Sequence, residues 1–348
     1  MKEKAKKNLN KKKGWILTGA IFIIIALGAV ICIKRYAVDS FTENAFTVYI
    51  RPETSYQELL DTLETKIGRS TWLRFRRMAN LDDYERQMIP GAYKLDPEMS
   101  SVDVYRILSH GLQTPVKYTF NNIRTPEQFA ARTAKQLMMD SASVMTLFRD
   151  TAFLSELGFD RDNIPGMFLP DSYEFYWTIE PRDLFKKMKK EYDRFWNEER
   201  RERAQALGFT PRELTVIASI AEEETNDKKE RGTVARLYMN RVQINMPLQA
   251  DPTVKFALQD FAIRRVLSAH LKYDSPYNTY LYAGLPPGPI RFPSKQTLQA
   301  ILDSEPNEFL YMCAKEDFSG RHNFTKSFTE HQNNAIRYRK ALNARGIK

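Results

Sequence analysis

LTVIASIAEEETNDKKERGTVARLYMNRVQINMPLQADPTV, Leu214 to Val254, is the stretch from which the rest of this chain can be read. Leu214, Ile217, Ala218 and Ala221 recur at three- and four-residue spacing, the stripe of a helix buried on one side. Thr210 suits its N-cap and Pro211 its first turn, so a helix is predicted over 211–224. It ends in Glu222, Glu223 and Glu224. Adjacent acids repel, and the C-terminal half of a helix disfavours negative charge. A solvated helix end is one reading of the three acids. The other is that one of them faces polar partners from another segment and transfers a proton. Glu222 follows Ala218 by four residues and Ser219 by three, small side chains that leave room for a bulky ligand beside it. Glu223 and Glu224 point about 100° and about 200° further round, so at most two of the acids serve one cleft.

A further helix is predicted over 231–242, with Asn240 and Arg241 near its end. Leu248 to Thr253 reads as a polar loop in which Asp251, preceding Pro252, is extended. Tyr273 to Pro293, YDSPYNTYLYAGLPPGPIRFP, has no regular periodicity. Rigid loops of aromatic residues and proline suit a polymer groove, and they suit ordinary loop packing equally.

The whole chain has 348 residues, 43% of them hydrophobic, enough for two domains or one large one. Such a composition excludes global disorder. The N-terminus is a separate object: seven lysines within residues 1–13 precede Trp15 to Ile33, 19 residues without a charge. As a helix that run spans about 28 Å, close to the thickness of a bilayer core. Lys34 and Arg35 follow directly and no small-residue cleavage site is evident, so an uncleaved single-pass anchor is favoured over a signal peptide. The lysine-rich end then stays inside and the remainder outside. Residues 1–13 carry +6 and Lys34 with Arg35 +2, leaving +2 of the total +10 for everything beyond residue 35. The basic balance is therefore a topology signal and gives no support to nucleic-acid binding. Cys32 and Cys313 offer no disulfide between folded segments, and the four histidines form no metal-ligand spacing, so neither cofactor nor metal is expected.

Between anchor and helix 211–224, residues 46–50 read as a strand, 55–63 as a helix with a Ser55–Glu58 capping box, and 70–78 as a second helix. Pro90-Gly91 turns into a strand at 92–95, followed by a helix at 101–109. Val116 to Phe120 is a strand that opens the main domain. Short helices follow over 125–137, 141–150 and 151–157, then an aromatic strand or loop over 168–175. Pro181 to Ala206 reads as one long charged helix.

ASIAEEET, YMNR, LQADPTV, DSPYNTY and GLPPGPI, in this order and spacing, resemble the YceG-like family of endolytic murein transglycosylases. FLPDSYEF upstream and AKEDFSGRHNFTKSFTEH downstream extend the resemblance over most of the chain after the anchor. Several ordered motifs are far more specific than one. The resemblance implies an α+β architecture: a cytoplasmic basic tail (1–14), a transmembrane helix (15–33), a small LysM-like α/β module (46–112) and a larger mixed α+β catalytic domain (115–345). It implies an endolytic lytic transglycosylase on nascent peptidoglycan in the cytoplasmic membrane, beside wall-synthesis enzymes. Carried over residue by residue, it gives Glu222 the catalytic role and Glu224 a supporting one. Asn240, Gln249, Asp251, Thr253, Ser275, Tyr277 and Asn278 fall on motif positions that line the cleft. The chain departs from the pattern at Glu223, where the family usually has lysine, and at Phe292-Pro293-Ser294, where it commonly has an Asn-Pro-Gly turn. A muramidase-type hydrolase using Asp251 or Glu224 beside Glu222, and a non-catalytic wall-binding scaffold, are the rival classes.

Overall fold

A computed structural model of the chain describes the backbone of residues 2–346 and the side chains from Lys13 to Gly346. The lysines of residues 2–12, read as the basic tail, lie outside the described side chains.

The chain begins with α1 (Lys2–Ile33), which closes in a wider helical turn over Lys34–Val38. Lys13–Val38 is long and apolar enough to cross a membrane, and residues 13–33 are exposed along their whole length. Two compact units follow. One comprises Met1–Val116 with Glu174–Thr178, the other Lys117–Tyr173 with Ile179–Lys348.

In the first unit, β1 (Phe46–Ile50) is followed by α2 (Tyr56–Glu64), α3 (Arg69–Leu81), β2 (Gly91–Leu95) and α4 (Ser101–Ser109). β1 and β2 are antiparallel, with Val48 opposite Tyr93 and Ile50 opposite Gly91. Alternation along β1 turns Val48 and Ile50 onto the helices, where they meet Leu59, Leu63, Phe75 and Val104 in one core. The Ser55–Glu58 capping box forms, and a second one, Ser100 with Asp103, starts α4.

The second unit takes up the chain within β3 (Val116–Phe120) and continues through α5 (Pro126–Gln136), α6 (Ser141–Arg149) and α7 (Thr151–Glu156) into the start of β4 (Asp171–Phe175), which pairs with β3. The charged run expected as one helix is two, α8 (Pro181–Phe195) and α9 (Glu198–Ala206). Trp196 leaves helical geometry to be buried, and the Asn197 side chain caps the restart by accepting from Arg200 N. Next come α10 (Pro211–Glu224), α11 (Arg231–Gln243) and α12 (Asp251–Leu258). The 248–253 segment is thus only half a loop. Ala250 is the extended residue at the N-cap, and Pro252 fits the first turn of α12, where no backbone N–H is needed. α13 (Lys295–Leu302), the hairpin of β5 (Tyr311–Ala314) and β6 (His322–Thr325), and α14 (Phe328–Ala344) complete the unit.

The centre of this unit is α10. Thr210 caps it as expected, in a capping box completed by Glu213, and every residue from Leu214 to Glu222 is buried. α11, α12 and α13 pack around it. A second core of Phe120, Phe129, Phe148, Phe168 and Phe185 takes in Phe292, whose ring stacks on Phe129 at 5.5 Å between centroids. The proline-rich loop seats on the 160–163 turn through Gly288, where a Cβ would stand 1.9 Å from Asp162 O.

Candidate active site

The three acids that end α10 go to three different places. Glu222 is 5% exposed. Its Oε1 accepts from Ser294 N at 2.9 Å and from the Ser294 hydroxyl, and faces Arg231 Nη1 at 3.5 Å. Its Oε2 lies 3.1 Å from Arg291 Nε. The space beside it, left open by Ala218 and Ser219, is filled by the chain's own 288–294 loop. Ile290 N donates to Ser219 Oγ at 3.0 Å, and both residues are buried. Glu223 points another way. Arg124 clamps it through Nε and Nη2 at 3.0 and 2.9 Å, and Arg291 Nη1 donates to Oε1 at 2.9 Å. Both departures from the family pattern therefore join one network, Ser294 on Glu222 and Glu223 with two arginines.

Glu224 alone lines an open cleft of about 310 Å³, together with Leu237, Tyr238, Arg241, Gln249, Asp251, Tyr280 and His331. Tyr238 OH donates to Glu224 Oε1 at 3.0 Å. Burial pushes the Glu224 carboxyl up to about 7, and the charge of Asp251 adds to the rise. The Tyr238 hydroxyl, Lys255 and Arg241 oppose it. Asp251, in the first turn of α12, accepts from Tyr280 OH at 2.6 Å. Arg241 is held by backbone carbonyls, donating to Leu310 O and Leu248 O at 2.7 Å each. His331 lies against the Tyr311 ring at 5.4 Å, and burial lowers its pKa.

Of the residues singled out in the sequence, the cleft brings together Glu224, Gln249 and Asp251. Gln249 takes a left-handed backbone (φ 50°) and its N–H donates to Thr279 O at 3.0 Å. The others form the frame. Asn240 Nδ2 donates to Asn307 O and Phe309 O. Thr253, fully buried, donates to Ala250 O and meets the Thr279 hydroxyl at 2.8 Å. Ser275 Oγ accepts from Tyr277 N. Tyr277 packs on Phe256 and donates to Asp162 Oδ1 at 3.3 Å. Asn278, also fully buried, donates to Leu271 O and Tyr273 O. Sequence reasoning did not single out Tyr238, Tyr280, Arg241 or His331 as cleft residues. The first three stand inside motifs already quoted, YMNR and DSPYNTY, so their signal was present. His331 ends the FTEH run, and nothing in its spacing marks it. Among the described residues no group of three or more His, Cys, Asp and Glu is arranged to hold a metal ion.

The sequence profile of the YceG-like family matches residues 48–337. The chain belongs to that family. It is similar to the endolytic murein transglycosylase of Bacillus subtilis (strain 168), with 40% identity over 125 residues, 36% of this chain and 34% of that one. It is also similar to the endolytic murein transglycosylase of Streptococcus pneumoniae serotype 2 (strain D39), with 24% identity over 311 residues, 80% of this chain and 55% of that one. The chain thus spans about a third and about half of the lengths of these relatives. A crystal structure of a yceG-like protein from Listeria monocytogenes is 25% identical with a TM-score of 0.57, covering 84% of this chain and 99% of that chain.

Proposed function

We propose that this chain is a membrane-anchored endolytic lytic transglycosylase of peptidoglycan, with Glu224 as its acid and base. The observation that carries the reading is a carboxyl raised to about 7, facing an open cleft lined by polar and aromatic side chains. An acid with that pKa is protonated at the start of the reaction and ionisable within it. The family resemblance gives the same role to Glu222, two residues earlier. Glu222 is a poor candidate because both its oxygens are occupied by Ser294, Arg231 and Arg291, leaving none for a glycosidic oxygen. It ties Ser294 and two half-buried arginines to the end of α10, so it acts as a positioning residue.

In the proposed reaction Glu224 gives its proton to the oxygen joining N-acetylmuramic acid to N-acetylglucosamine, and the C1–O bond breaks. The carboxylate so formed takes the proton from the muramoyl C6 hydroxyl, whose oxygen bonds to C1. No water is consumed, and a 1,6-anhydro end results. Asp251, fixed by Tyr280, contributes negative charge that favours both the protonated acid and the positive character developing at C1. The same Asp251 favours the rival hydrolytic reading, since two carboxylates in one cleft are the usual hydrolase equipment. Product mass separates the two. Uncrosslinked glycan strands treated with the full chain give anhydro ends under this proposal, and fragments heavier by one water under hydrolysis. A scaffold gives no fragments.

The surrounding organisation follows the same reading. α1 anchors the chain in the cytoplasmic membrane with its lysines inside and both compact units outside. Residues 46–112 act as a LysM-like wall-binding module and 115–345 as the catalytic domain. The module has a cleft of about 400 Å³ lined by Tyr56, Gln57, Arg76, Asn80 and Glu85, amide and aromatic groups suited to sugars. A place close to wall-synthesis enzymes fits a tether of about a dozen residues between span and β1.

A further inference from the structure

The proton-transfer chemistry leaves one pocket unused. It lies across the last turn of α10 from the cleft, has a volume of about 50 Å³, and is lined by Arg124, Glu223, Pro252, Lys255, Phe261 and Ile290. The two recesses share their walls. Glu223 and Asp251 each precede or follow a residue that belongs to the other side, Glu224 and Pro252, and neighbouring Cα atoms are about 3.8 Å apart.

The charges around this pocket do not balance. Arg124 spends Nε and Nη2 on Glu223, and its guanidinium lies over the Phe261 ring at 5.2 Å. Arg291 shares the same Glu223 and also touches Glu222, which Arg231 faces. Lys255 makes no hydrogen bond or ion pair among the described residues, and neither does Arg124 Nη1. Of the charged groups that line the pocket, Arg124 and Lys255 are cations and Glu223 the one anion, which Arg291 also contacts. Glu224, whose carboxyl Lys255 also acts on, faces the cleft. Asp251, one turn before Lys255, is held towards the cleft by Tyr280. A recess with surplus positive charge and two uncommitted donors is a site for a small anion, best a carboxylate.

Resting on the transglycosylase reading, we infer that this pocket binds a carboxylate carried on the lactyl ether of the muramoyl residue, and that Lys255 is its specificity-determining cation. A muramoyl ring with its glycosidic oxygen at Glu224 bears at O3 a lactyl group, extended by a peptide stem rich in carboxylates. The lactyl side of the sugar is the only part of the strand that carries such a charge. One edge of the ring then meets the acid while the substituent crosses α12 to Lys255. The site so reads the peptide-bearing state of the glycan.

The test is strand binding to the detergent-solubilised full chain carrying Glu224→Gln, which holds substrate without turnover. Stem-bearing strands with free carboxylates are compared with the same strands after amidation. Free strands bind about tenfold tighter. The ratio falls to about one when Lys255→Ala is added and is kept with Lys255→Arg. A third arm uses strands stripped of peptide, which expose the lactyl carboxylate. Binding that depends on Lys255 there assigns the pocket to the lactyl group, and binding that does not assigns it to the stem. A ratio near one with Lys255 present, or a preference kept by Lys255→Ala, overturns the inference. Absence of anhydro products from the native chain, with the ratio intact in Glu224→Gln, would overturn the reaction and leave the pocket standing.

Discussion

The Tyr238 hydroxyl donates to Glu224 Oε1 at 3.0 Å, from a ring that is itself buried. This bond stabilises the ionised carboxylate against the burial that favours the acid. The resting state of the cleft is a balance between the two, near neutrality.

The first expectation concerns pH. A carboxyl at about 7 supplies its proton below that pH and loses it above. kcat/KM for strand cleavage should fall on an alkaline limb centred near 7, tenfold per unit beyond it. A limb absent up to pH 9 would remove Glu224 as the acid.

Tyr238→Phe keeps the ring and deletes the donor. The ionised form loses a hydrogen bond of about 1 kcal/mol, so the alkaline limb should move up by roughly half a unit to one unit. Parallel pH profiles of the two proteins would show it. A downward shift would contradict the donor role.

Stability should run against activity at the same residue. The native state holds the Glu224 proton up to about 7, above the 4.5 of an ordinary glutamate, so it binds more protons than the unfolded chain in that window. Stability therefore falls as pH rises from about 4.5 through 7. Glu224→Gln abolishes that penalty, and its Tm at pH 8 should exceed the native value by a few degrees. The difference should vanish below pH 4.5, as thermal melts across the range would reveal.

Glu222→Ala takes one partner from each of two half-buried arginines, while Arg231 keeps Thr297 and Arg291 keeps Glu223 and Asn122. With those contacts kept, the loss should be about 1–3 kcal/mol. Denaturant unfolding of the variant and the native protein at one fixed pH should show that loss.

Much of this was legible beforehand. The apolar N-terminal helix, long enough to cross a membrane, showed as an uncharged run of 19 residues. The helix of residues 211–224 showed through its stripe and its Thr210 cap, both local signals. What failed was also local in cause. Trp196 breaks the long charged helix because tertiary burial outweighs helical continuity at one residue, and no spacing rule records that. Asp251 reads as extended before proline, yet Ala250 takes the extended position and Pro252 serves a first turn. The acids were the hardest. Helical geometry separated Glu222, Glu223 and Glu224 by about 100° each. Only the fold shows that Ser294 and Arg291, about 70 residues on, close over the first two and leave Glu224 open.

The most direct measurement is product analysis by mass spectrometry, with uncrosslinked glycan strands and the full-length chain as native protein, Glu224→Gln and Glu222→Gln. The account predicts 1,6-anhydro ends from the native protein, none from Glu224→Gln, and reduced but measurable amounts from Glu222→Gln, which keeps the shape of the positioning residue. Anhydro ends from Glu224→Gln at native rates, with none from a folded Glu222→Gln, would contradict it and return the acid role to Glu222.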